Sequence, residues 1–160
     1  MNFRISALNV DQFEHLFGLS DDDLAAAGVE RMRARTKPGY PCRVSLEDAE
    51  PGETVLLLNY EHQPAATPYR ARHAILVREA VQQARPAPNE IPDMLRCRLI
   101  SVRAFDADHM MTAAEIVDGT ELGTKIEYML GNESASYLHL HNAQRGCYLA
   151  SVERAAPHSP

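Results

Sequence analysis

Tryptophan is absent, and no apolar run approaches the roughly 20 residues that a membrane-spanning helix needs. A helical membrane protein is therefore not expected. The opening MNFRISALNV lacks the apolar stretch and small-residue cleavage pattern of an export signal, so export is not expected either. Cysteine is scarce, and Cys42, Cys97 and Cys147 are an odd number lying far apart. That spacing suits neither a disulfide framework nor a CxxC metal knuckle, and reduced thiols in a cytoplasm fit it best. Positive charge is also short, with 16 Lys and Arg against 22 Asp and Glu, a net charge of −6. A nucleic-acid partner, whose phosphates call for a net basic face, is not expected. The one basic cluster, RMRARTK with Arg43, reads as a solvated strand face.

What is present is ordinary globular material, 45% hydrophobic and 24% charged, enough to bury a core without disulfides or metal. We expect one domain over residues 1–155 and a frayed tail at 156–160. FRISAL alternates as a strand, and VDQFEHLFGLS reads as a short helix or turn. SDDDLAAAG reads as a helix with Ser20 as N-cap, Asp21 to Asp23 at the positive end of its dipole and Gly28 as its stop. VERMRART predicts a strand, KPGYPCRVSL a turn before a second short strand, and TVLLLNY a central strand buried on both faces. ARHAILVRE and LRCRLISVRAF predict further strands, separated by the proline-rich QQARPAPNEIP. DADHMMTAAEIV and TELGTKIEYMLG have helical spacing, the second with Thr120 as candidate cap and Gly131 as stop. The expected fold class is α+β: a mostly antiparallel, curved or barrel-like sheet with two or three packed helices.

Four fragments, KPGYPCRVSLEDAEPGE, VLLLNYEHQPAATPYRA, LRCRLISVRAFDA and YLHLHNAQRGCYLASVER, together resemble a bacterial family catalogued as domain of unknown function 1203. The likeness runs nearly end to end. It implies a small bacterial single-domain protein and carries no activity or catalytic residues with it.

The densest chemistry lies in YLHLHNAQRGCYLA, residues 137–150. On a strand, Tyr137, His139 and His141 share one face, and Leu138 and Leu140 take the other. Two hairpin registers compete. Pairing 141 with 147 gathers Tyr137, His139, His141, Cys147 and Ser151 on one face, separates polar from apolar, and is preferred. Pairing 142 with 147 through the loop Ala143 to Gly146 moves Cys147 to the leucine face.

Four readings follow. In an enzyme, Cys147 would be nucleophile, His141 base and Asn142 orienter, with Arg70 or Arg43 holding an anionic substrate. In a metal site, His139 and His141 would hold zinc or a similar transition metal with His73, His62 or Cys147 as third ligand. In a binding module, His139, His141 and Cys147, with Tyr60, Tyr69, Arg70 and His73, would line a pocket for a small anionic ligand or partner segment. In the fourth, the hairpin is purely structural. Cys42 and Cys97 read as buried small residues, His15, His109 and His158 as exposed, and Met110 and Met111 as helix packing. Two-fold self-association is open on base rates alone.

Overall fold

The computed structural model describes residues 1–156. Eight strands and three short helices follow in the order β1 (Phe3–Ser6), α1 (Asp21–Ala26), β2 (Glu30–Arg33), β3 (Thr54–Gln63), β4 (Ala71–Arg78), α2 (Asp93–Arg96), β5 (Leu99–Phe105), β6 (Met111–Asp118), α3 (Leu122–Leu130), β7 (Tyr137–Asn142) and β8 (Tyr148–Arg154). They form two antiparallel sheets, ordered β1-β8-β7-β5-β6 and β2-β3-β4. The α+β class holds. The barrel-like alternative does not, because two open sheets stand where one closed sheet was entertained.

Period and chemistry explain the correctly read elements. Helix α1 begins where Ser20 Oγ accepts from Asp23 N, and Gly28, at φ 72°, takes the left-handed turn that ends it. Helix α3 lays Leu122, Ile126 and Leu130 on Ile100, Val102, Leu138, Leu140 and Val152 of the five-stranded sheet. Each such side chain contributes about 1.5–3 kcal/mol on burial. A second apolar cluster joins Leu56, Leu58, Ile75 and Val77 of the three-stranded sheet to Tyr148. Strand β8 therefore contributes to both clusters, Leu149, Ala150 and Val152 to the first and Tyr148 to the second.

Several local expectations are overturned. DADHMMTAAEIV is not a helix but a turn leading into β6, an edge strand whose side chains are almost all exposed or half-exposed. With no buried face it shows no period-2 pattern, and pairing with β5 overrides the helical preference of Ala113, Ala114 and Glu115. Met110 and Met111 consequently pack no helix. The leading end of LRCRLISVRAF is α2, preceded by Pro92, and the strand begins only at Leu99. VSL forms no strand, since Pro41–Asp48 and Cys42–Leu76 make only isolated bridges. Thr120 caps nothing and is itself held in a short turn by the Asp118 carboxylate. Residues 157–160, with His158 and most of the expected tail, lie outside the described residues.

A candidate three-histidine metal centre

Alternation along β7 turns Leu138 and Leu140 toward α3 and leaves Tyr137, His139 and His141 facing the three-stranded sheet. From that sheet β3 approaches with Leu56, Leu58 and Tyr60 packed in the second cluster. Its register with β4 shifts between Tyr60 and Gln63. Such a bulge re-aims side chains, and here two consecutive residues reach β7. Gln63 Nε2 donates to Tyr137 Oη at 2.9 Å, and the His62 ring stands 4.9 Å from the His141 ring and 6.2 Å from the His139 ring. One nitrogen from each of His62, His139 and His141 lies within 4.8 Å of the other two. Tyr148 completes the enclosure, stacked on His62 at 5.5 Å and edge-on to His139 and His141 at 5.2 and 5.8 Å.

Burial keeps all three imidazoles neutral near pH 7. Withdrawal from water, with a smaller contribution from the Arg103 cation, holds His62 and His139 down to about 4 and His141 down to about 3. The Nδ1–H of His141 donates to Gly146 O at 2.9 Å, so its Nε2 keeps a free lone pair. Nδ1 of His62 and Nδ1 of His139 are buried with no hydrogen-bond partner. Unpartnered buried nitrogens are costly unless something else binds them.

The preferred register of the hairpin is overturned. Asn142 N donates to Cys147 O and Gly146 N to Asn142 O, so 142 faces 147 across the loop Ala143 to Gly146. Gly146, at φ 80°, makes the left-handed step, and a bulge between Leu140 and His141 then sets Tyr148 opposite His141. Tyr148 thus takes the place expected for Cys147 beside the histidines. Polarity segregation misled because Tyr148 is amphipathic, and its ring packs against imidazoles as readily as against leucines. Asn142 is a turn residue, its Oδ1 accepting from Gln144 N and Arg145 N, and the Cys147–His141–Asn142 relay does not assemble.

Cys147 instead lines a separate cleft of about 590 Å³ with Arg43, Arg98, Cys97 and His73. Arg43 is almost wholly buried and donates to Tyr148 O at 2.7 Å and to Pro41 O at 2.5 Å. Arg98 is bound to Asp48. Cys97 is exposed, contrary to its expected burial, whereas Cys42 is fully buried and accepts from the backbone N–H groups of Ser45 and Arg78. Tyr69 and Arg70 join neither place: Tyr69 packs edge-on against Phe105, and Arg70 pairs with Glu61. Tyr60 packs on Phe13. His15 and His109 are exposed as expected, although His109 Nδ1 is 2.8 Å from Tyr137 Oη. His62 was one of three third-ligand alternatives, while Arg103 was missed. The signal for Arg103 was its alternation with Ser101 and Phe105 on β5, opposite the apolar Val102 and Ala104.

The model of the family described as "Protein of unknown function (DUF1203)" matches residues 39–154. The chain belongs to this family. The matched span contains all three histidines, Tyr148 and Cys147. No curated protein and no solved structure matches the chain. Among the described residues no helix is long and apolar enough to cross a membrane.

Proposed function

We propose that this DUF1203 protein is a bacterial cytoplasmic metal-binding protein in which His62, His139 and His141 hold zinc or a similar transition ion. The observation that carries the reading is the convergence of three imidazole nitrogens within 4.8 Å, supplied by β7 and by a bulge in β3. Zinc–nitrogen bonds of about 2.0–2.1 Å place ligands of a tetrahedral ion roughly 3.3 Å apart, so small side-chain rotations would close the site. Three neutral imidazoles suit zinc, copper, nickel or iron rather than the oxygen-seeking magnesium and calcium. Three protein donors leave one position for an exogenous ligand, the arrangement of catalytic rather than structural zinc sites. A metal-dependent hydrolase or transferase is therefore the enzymatic form of this proposal.

The test is elemental analysis of untagged protein purified without chelator, followed by zinc or cobalt titration. About one equivalent in the parent, and none in a His139→Ala/His141→Ala variant whose circular dichroism is unchanged, would support the centre. A folded parent that neither carries nor takes up either ion would refute it.

The Cys147 cleft supports a second reading, a pocket for a small anionic ligand, because Arg43 is buried there with no carboxylate partner among the described residues. Protection of Cys147 from a thiol reagent by inorganic phosphate or acetate, lost in Arg43→Met, would support it. Labelling unaffected by either anion would count against it.

A further inference from the structure

Five arginines, Arg31, Arg70, Arg78, Arg96 and Arg98, have an Asp or Glu oxygen within 4.0 Å. Arg103 is different. It is half-buried, yet it pairs with no carboxylate among the described residues, and its one side-chain hydrogen bond runs from Nε to Ser101 Oγ at 3.3 Å. Register fixes where it stands. On β5 Arg103 is directly opposite His139, and Ser101 directly opposite His141. Such pairs share a sheet face with Cβ atoms about 4.5–5.5 Å apart, so the guanidinium lies along the two β7 histidines. Ser101 holds Nε and leaves the terminal nitrogens without a partner among the described residues.

We propose that Arg103 anchors a small carboxylate that completes the three-histidine centre, one oxygen on the metal and the other on the guanidinium. The inference rests on the metal reading above. Charge is its first support. A divalent ion with Arg103 places three positive charges in a half-buried site whose ligands are all neutral, and no carboxylate among the described residues pairs with Arg103. Like charges in such surroundings repel strongly, and a bound anion removes the repulsion. Loss of hydration is the sole cause of the lowered Arg103 pKa, which agrees with the lack of a nearby acid. Shape is the second support. A carboxylate carries two oxygens held apart by one carbon and can reach a metal with one and a guanidinium N–H with the other, which a spherical anion cannot do. Size is the third. Tyr148 and Phe105, with ring centroids 5.2 and 5.0 Å from that of His139, crowd the centre and favour a ligand of a few heavy atoms.

The experiment uses the cobalt-loaded full chain, titrated with acetate and separately with chloride while the visible absorption of the cobalt centre is followed. We expect a saturable acetate response in the parent, at least tenfold weaker in Arg103→Gln and partly recovered in Arg103→Lys. Chloride should bind weakly and change little between variants. Cobalt itself should bind Arg103→Gln at least as tightly as the parent, because a neighbouring positive charge is gone; a merely structural Arg103 would give the opposite. Equal acetate affinity in parent and Arg103→Gln, or no acetate response in a cobalt-loaded parent, overturns the inference and leaves the metal centre standing. A parent that takes up no cobalt removes both.

Discussion

Acidifying the metal-free protein should destabilise it well above the range where carboxylates titrate. His139 and His141 are 7% and 1% exposed, and burial holds their folded pKa values at about 4 and about 3, against about 6.5 in an unfolded chain. Between those limits the unfolded state binds more protons, so this contribution to stability is fully present above pH 6.5. It is lost as pH falls toward the folded values. At pH 5 each residue has forfeited about 2 kcal/mol, at about 1.36 kcal/mol per pH unit below 6.5. The pair together forfeits about 4 kcal/mol, a large share of a typical 5–15 kcal/mol. His62 is less buried and adds less. Burial pushes the Asp48 carboxyl up, but Arg98 and the Gly39 N–H outweigh it; Asp48, Glu53 beside Arg78 and Glu79 beside Arg31 are all held below their ordinary values and lose their contributions only near and below pH 4. Urea midpoints in chelator at pH 7.5, 6.5, 5.5 and 5.0 test the reasoning. A stability that stays flat to pH 5, or a His139→Gln/His141→Gln variant with the same pH slope as the parent, would refute it.

Adding zinc at about 100 times its dissociation constant should stabilise the protein by roughly 2.7 kcal/mol, a rise in Tm of about 5–10 °C absent from His62→Ala. Gly119→Ala should be strongly destabilising by thermal melt, because the new Cβ would stand 2.1 Å from Leu95 O and 2.6 Å from Arg96 O, both backbone atoms. Asn142→Ala should cost about 1 kcal/mol by removing the acceptor for two loop N–H groups, while leaving zinc uptake intact, as a turn residue and not a catalytic orienter would. Leu140→Ala, wholly buried beneath α3, should cost about 2–5 kcal/mol in urea unfolding.

Legibility followed burial. TVLLLNY read as a central strand and is one, because both faces of β3 are largely covered and the residues record it. TELGTKIEYMLG read as a helix because one stripe is buried and the rest is not. DADHMMTAAEIV was misread for the converse reason: an edge strand with no buried face leaves local helix preference as the only visible signal. The hairpin register failed differently. One slip at Gly146 and one bulge after Leu140 bring Tyr148 to the histidine face in place of Cys147, and neither irregularity is written in the alternation of the residues.

By itself the sequence determined the α+β class, the membership signalled by its four fragments, and the shared face of His139 and His141, because a two-residue step on a strand admits no other outcome. Tertiary structure alone decided the rest of the site. It chose His62 over His73 and Cys147 as the third member of the cluster, because the irregular end of β3 brings His62 to β7. It sent Cys147 to a different cleft and set Arg103 beside the histidines. Those choices depend on which strands pair and where a ladder slips, and such non-local contacts leave no trace in the spacing of neighbouring residues.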